Sequence, residues 1–173
     1  MAYTIERTEA EMVAYEFLER ENIEYVRIDH EPAHTMEICA GIEKILGAPI
    51  CKNLFLCNRQ QTDFYLLMIP AGKIFKTKYL SAQLGCARLS FATPEQMAEL
   101  LHLLPGSVSP MGLMNDSGRK VRLVIDRELM SLDYFGCHPC ANTSTIKMNM
   151  SDFLEKFLPA SGHDYTVVEL ALE

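Results

Sequence analysis

The chain has 173 residues, 49% of them hydrophobic, and a formal net charge of −7 at pH 7. That is enough apolar material for one core without disulfides or metal, and too acidic a balance for a protein that grips DNA or a long RNA by neutralising many phosphates. Apolar runs such as Phe64 to Ile69 fall far short of the roughly 20 residues that span a bilayer, and Glu6, Glu9 and Glu11 do not suit a secretory leader. One soluble, cytoplasmic domain over residues 1–173, with no membrane partner, is expected. Six cysteines at 39, 51, 57, 86, 137 and 140 are scattered, and Cys39, Cys57 and Cys86 sit in apolar runs, as reduced core thiols do.

Thr8 followed by Glu11 is a capping-box pattern, and Ala10, Val13, Ala14 and Phe17 repeat at helical spacing, which predicts a first helix over 9–21. A short strand over 24–28 and a helix over 36–46, stopped near Gly47 and Pro49, come next. Residues 54–57 and 64–69 are nearly continuous apolar runs around a polar turn. They read as a hairpin covered on both faces. Leu80 to Leu84 suits a helix ended by Gly85, and Arg88 to Phe91 suits a strand. Thr93-Pro94-Glu95-Gln96 combines a cap, an early Pro and a Gln that starts a helix expected to run through Leu104. From Pro105 to Gly118, Gly, Pro, Ser, Asn and Asp dominate, which predicts an ordered loop and no helix. Strands are expected at 121–125, 134–137, 145–148 and 165–170, with a helix over 151–158. This order of αβ units and hairpins predicts an α/β (α+β mixed) fold with a curved mixed sheet flanked by helices.

Three segments carry candidate chemistry. Lys52 stands at the mouth of an apolar strand, where its charge must reach solvent or meet an anion, because burial unpaired is costly. A snorkelling strand-edge lysine is the alternative. Gly106 to Pro110 is bounded by the two residues that most constrain a backbone, so it can present amides and carbonyls to a small ligand, or simply form a turn. His138 precedes Pro139, which favours an extended backbone, and Asn142 to Thr145 form a polar patch behind it. No Gly-x-Ser-x-Gly elbow surrounds a serine that could act with it. Cys137-His138-Pro139-Cys140 also has the C-x-x-C spacing of thiol redox sites, but Ala141 to Thr145 make a poor helix start, and no second close pair completes a zinc site. Two basic groups, Lys73, Lys76 and Lys78, and Arg119, Lys120 and Arg122, are either solvated faces or a small footprint for nucleic acid.

In this order, Cys51-Lys52-Asn53-Leu54-Phe55-Leu56, Gly106-Ser107-Val108-Ser109-Pro110 and His138-Pro139-Cys140-Ala141-Asn142-Thr143-Ser144-Thr145 resemble the YbaK/ProX family of aminoacyl-tRNA editing domains, nearest to its free-standing ProX/PrdX-type members. The resemblance runs from about His30 to Leu158 and includes His30-Glu31-Pro32-Ala33 and Thr35. It implies the fold of that family and hydrolysis in trans of the ester in mischarged Ala-tRNA(Pro). It implies Lys52, Gly106, Pro110 and His138 as catalytic residues. Asn53, Ser107, Val108, Ser109, Pro139, Asn142, Ser144 and Thr145 would line the substrate site, with no metal and no cofactor. Its partners would be the alanine-bearing acceptor end of tRNA(Pro) and, as a candidate, prolyl-tRNA synthetase. A Cys-tRNA(Pro) deacylase, a non-catalytic aminoacyl-binding module and a thiol-redox protein are the alternatives. Cys137 and Cys140 are a thiol feature that the resemblance does not explain.

Overall fold

The computed structural model describes residues 6–32 and 36–170, so Ala33 and Thr35 of the upstream segment lie outside the described residues. Twelve elements carry the argument: α1 (Glu9–Arg20), β1 (Tyr25–Asp29), α2 (Met36–Leu46), β2 (Cys51–Asn58), β3 (Phe64–Pro70), α3 (Thr77–Leu84), β4 (Leu89–Phe91), α4 (Pro94–Leu101), β5 (Val121–Asp126), β6 (Tyr134–Cys137), β7 (Ser144–Asn149) and β8 (Tyr165–Val168). The mixed α/β architecture is the expected one, with its strands divided between two sheets. The larger has the order β4-β2-β3-β5-β8 and the smaller β1-β7-β6. In the larger sheet β2 pairs antiparallel with β3 and β4, while β3–β5 and β5–β8 are parallel.

The β2–β3 hairpin is covered on both faces because its alternating side chains feed two cores. Cys51, Phe55, Cys57, Phe64, Leu66 and Met68 enter a large cluster that extends under β6, β7 and the C-terminal helix. Leu56, Tyr65, Leu67 and Ile69 pack on the other side with Leu80 of α3 and Val168 of β8. The two sheets meet where Gly136 of β6 donates its N–H to Pro49 O at 2.8 Å. A Cβ on Gly136 would stand 2.9 Å from Leu46 Cδ2 and 3.1 Å from Ile50 Cγ1, so only glycine lets the strand approach this closely.

Three local outcomes differ from the expectations. Thr8 Oγ1 accepts the Glu11 N–H, but the Glu11 carboxylate turns into the protein, so only half of the capping box forms. Helix α4 stops at Leu101 because His102 takes the left-handed conformation that ends it, while its capping box at Thr93 and Gln96 is complete. The stretch expected to be loop throughout contains a 3₁₀ helix, Pro110–Asn115. It starts there because Ser109 Oγ caps the Met111 N–H and Pro110 has no N–H to leave unsatisfied. The last helical segment runs as α (Met150–Asp152), π (Phe153–Phe157) and α (Leu158–Ser161). Its wide turn falls just before Pro159, whose ring cannot fit a regular preceding turn, and it brings Phe153 and Phe157 together in the core. Among the described residues no helix is long and apolar enough to cross a membrane.

Candidate active site

Strand β4 pairs with β2 only through Leu56, Cys57 and Asn58, so the Cys51–Leu54 half of that edge is left open. The Phe55 carbonyl accepts Ala92 N–H at 3.0 Å on the β4 side. By the two-residue repeat of a strand, the backbone groups of Asn53 face the same open side. A cavity of about 500 Å³ lies there, lined by Lys52, Asn53, Gly106, Val108 and His138 and walled by Cys39, Ile50, Cys51, Leu54, Ala71 and Cys137. Residues far apart in the sequence therefore converge on one concave surface. Lys52 is exposed at its mouth, and among the described residues the lining contains no carboxylate to neutralise it.

The Gly106–Pro110 loop is fixed by its own serines. Ser107 Oγ donates to Leu104 O at 2.8 Å and accepts Leu104 N–H, closing the turn on itself. Ser109 Oγ donates to the His138 carbonyl at 2.5 Å, which ties the loop to the histidine segment. Gly106 has φ of +91°, and the place its Cβ would occupy is 3.7 Å from Asn142 Nδ2, so Asn142 backs the loop. Asn53 Nδ2 reaches Val108 O at 3.4 Å and so links the strand edge to the same loop.

His138 is half-buried. Its Nδ1 is 2.9 Å from Ser144 O, and because a carbonyl only accepts, Nδ1 carries the proton and Nε2 keeps its lone pair. Burial holds its pKa below the ordinary histidine value; the Ser144 bond opposes this, and His30, with ring centroids 6.3 Å apart, adds to it. The neutral ring, which lines the cavity, thus keeps Nε2 as a hydrogen-bond acceptor.

Of the expected substrate-facing residues, Lys52, Asn53, Gly106, Val108 and His138 line the cavity; Ser107, Ser109 and Asn142 support the loop. Pro110 and Pro139 are buried beside it. Ser144 and Thr145 do not reach it. Both are fully buried: Thr145 Oγ1 donates to His30 Nε2 at 2.8 Å, while Ser144 Oγ faces Asp29 and Glu11. The cavity walls Cys39, Ile50 and Ala71 carried no sequence signal beyond their apolar character.

The thiol reading loses its chemistry. Cys137 and Cys140 are buried, and burial pushes both thiols up to about 12, so they stay protonated and poorly nucleophilic. Cys140 also has φ of +62° in a turn that opens no helix. Lys73 leaves the first basic group: its ammonium is buried against Asp126 at 2.8 Å and Glu128 at 3.1 Å. Lys76, Lys78 and Arg88 instead line an exposed groove of about 720 Å³ with Phe75 and Phe91.

Comparison with known proteins decides the family. The model for the aminoacyl-tRNA editing domain matches residues 30–156. The chain belongs to the aminoacyl-tRNA editing domain family. It is 32% identical over 153 residues to the prolyl-tRNA editing protein ProX of Acetoanaerobium sticklandii, covering 88% of this chain and 93% of that one. It is 33% identical over 150 residues to prolyl-tRNA synthetase associated domain-containing protein 1 of Danio rerio, covering 86% and 80% of the two chains. Its fold matches a crystal structure described provisionally as a trans-editing enzyme for prolyl tRNA synthetase, with a TM-score of 0.71 at 14% identity over 96% of this chain and all of that one. The editing domain is accordingly an aminoacyl-tRNA deacylase, a hydrolase of the aminoacyl ester.

Proposed function

We propose that this editing domain acts in trans in the cytoplasm on tRNA(Pro) mischarged with alanine, releasing the amino acid. The observation that carries this is the cavity in which exposed Lys52, the Gly106–Val108 loop and neutral His138 converge with no lining carboxylate among the described residues. An aminoacyl ester is already activated. Its hydrolysis needs a positioned water and stabilisation of the oxygen that becomes negative, and no separate nucleophile. Lys52 supplies the cation for the terminal phosphate or ribose end. The loop, closed by Ser107 and anchored by Ser109, holds amide and carbonyl groups toward the amino acid and the water. His138 Nε2 accepts a proton from the water or the neighbouring ribose hydroxyl, which aligns the attack.

Cys39, Ile50, Ala71, Val108 and Cys137 form an apolar wall suited to a methyl side chain, and discrimination against proline would rest on the size of its ring. Size alone discriminates only about 10- to 200-fold, so the tRNA must contribute. The groove of Phe75, Lys76, Lys78, Arg88 and Phe91 adjoins the same strand, since Phe91 pairs with Leu56 and Leu54 packs in the cluster that includes Phe75. Exposed cations beside aromatic faces suit the acceptor strand. A short footprint of this kind is compatible with the net charge of −7. Prolyl-tRNA synthetase, which produces the mischarged tRNA, is the natural partner.

Release of labelled amino acid from Ala-, Cys- and Pro-tRNA(Pro) by the native chain and by Lys52→Ala tests the assignment. Rapid loss of alanine alone, abolished by the substitution, is expected. Loss of cysteine instead would redirect the specificity, and no turnover on any of the three would leave a binding module.

A further inference from the structure

Behind His138 lies a charged cluster that the cavity does not contain. Ser144, whose carbonyl accepts the His138 Nδ1–H hydrogen bond, turns its hydroxyl toward Asp29 Oδ1 at 2.7 Å and Glu11 Oε2 at 3.1 Å. Arg7 Nη1 donates to Glu11 Oε2 at 2.5 Å, and its Nη2 donates to Asp29 Oδ2 at 3.0 Å. Tyr15 Oη donates to the same Glu11 oxygen. Ser144 and Asp29 are directly paired across β7 and β1. The second pair on that ladder, Thr145 and Ile28, lies next to His30, whose backbone N–H donates to Thr143 O at 2.9 Å and whose ring accepts from Thr145. The start of β7 is therefore clamped on its side-chain and main-chain groups by residues 7–30.

Glu11 is fully buried, and its Oε1 has no hydrogen-bond partner among the described residues. A carboxylate kept in the core with one oxygen unsatisfied costs stability that an apolar residue would not. Arg7 and Tyr15 both donate to Oε2, and the Ser144 hydroxyl, shared with Asp29 Oδ1 at 2.7 Å, lies 3.1 Å from that same oxygen. Arg7, Glu11, Tyr15 and Asp29 all precede the segment that matches the editing-domain model, residues 30–156. The segment that carries the cavity thus relies on a clamp supplied from outside it.

We propose that Glu11, held by Arg7 and Tyr15 and joined by Asp29, is a positioning residue for the site: through Ser144 it fixes the carbonyl that orients His138 and keeps Nε2 as the acceptor facing the cavity. The inference rests on the role of His138 under the proposed function, but its first test does not require turnover. Nitrogen NMR of the His138 imidazole in the full native chain should show a single Nδ1–H tautomer. Glu11→Gln, which keeps the shape and removes the charge, should give a mixture of tautomers in a folded protein. Ser144→Ala, which keeps the carbonyl and deletes the link, should do the same and serves if Glu11→Gln does not fold.

In deacylation of Ala-tRNA(Pro), either variant should lower kcat about tenfold with KM within about twofold, a cost typical of a misplaced catalytic group. In a His138→Ala background the same change should have no further effect, because a residue that acts through another is silent once that other is gone. An unchanged tautomer in both folded variants overturns the proposal, as does an equal tenfold loss in the His138→Ala background. A native chain that deacylates nothing, yet loses its single tautomer in the variants, would overturn the deacylase assignment while leaving the clamp intact.

Discussion

Lys73 and Lys52 flank the same hairpin, one just beyond the end of β3 and the other at the start of β2, and the fold treats them in opposite ways. Lys73 is buried between Asp126 and Glu128, and although burial pulls its pKa down, the bonds to those two carboxylates prevail and raise it. Lys52 is exposed on a cavity with no carboxylate in its lining among the described residues. A buried ammonium must be neutralised from within the protein, so Lys73 has its anions built in. On the proposed function, the charge of Lys52 is left for an anion that arrives with the ligand. In the linear chain the two lysines look alike. What separates them is where carboxylates fall in three dimensions.

The sharpest way to break this contrast is to make the same substitution at both positions. Lys73→Ala leaves Asp126, fully buried, without its counter-charge and should lower unfolding stability by about 3–5 kcal/mol in a urea titration. Lys52→Ala should leave the urea midpoint nearly unchanged while reducing deacylation about 100-fold or more, the cost of losing the cation that holds the terminal phosphate or ribose end and so positions the ester. A Lys52 variant that unfolds as readily as the Lys73 variant would show that both lysines are structural. A stable, fully active Lys52 variant would remove the anion role.

The limits of the sequence are physical ones. The hairpin, α2 and the cap of α4 were legible because strand alternation, helical spacing and capping chemistry are encoded within a few residues. The three motifs were legible because each is local, and the structure brings Lys52, Gly106 and His138 to one cavity. The partner of Lys73 is 53 positions away and that of Ser144 Oγ on Glu11 is 133 away, separations at which no local pattern speaks. Ser144 and Thr145 therefore read as a polar patch open to substrate, although both are buried as anchors of β7. Glu11 read as half of a capping box, and the inward turn of its carboxylate comes from Arg7 and Tyr15. The 3₁₀ helix after Ser109 was hidden by a loop-like composition that is also the composition of a capped, Pro-initiated turn.

The groove extends the contrast to a second set of cations. Arg88, Lys76 and Lys78 are exposed like Lys52, but they stand beside Phe75 and Phe91, outside the cavity. Arg88→Ala or Phe91→Ala should raise KM for Ala-tRNA(Pro) roughly 5- to 10-fold with kcat unchanged, as expected for the loss of one phosphate or one stacking contact. The Arg88 effect should shrink as salt is added, and neither change should alter hydrolysis of a short aminoacyl ester that cannot reach the groove. An equal loss on the short ester would place these residues in the cavity chemistry after all.

The smallest effect is the most specific, because it depends on the protonation state of one ring. Burial depresses His138 below 6.5, the His30 ring adds to the shift, and the Nδ1–H bond to Ser144 only partly opposes it. The folded protein therefore binds its proton less readily than the unfolded chain. This contributes stability that is present above pH 6.5 and is lost as pH falls from there through the lower folded value. Activity that depends on the Nε2 lone pair tracks the folded value, so kcat/KM should hold its plateau below pH 6.5 and decline only on the acid side of it. His138→Gln should abolish that limb and, in the same pH window, the associated loss of stability. If the native limb lies above pH 6.5, the ring is stabilised as a cation, and the group that supplies positive charge to the cavity would be His138 as well as Lys52. The distinction between a charged mouth and a neutral floor would then fail.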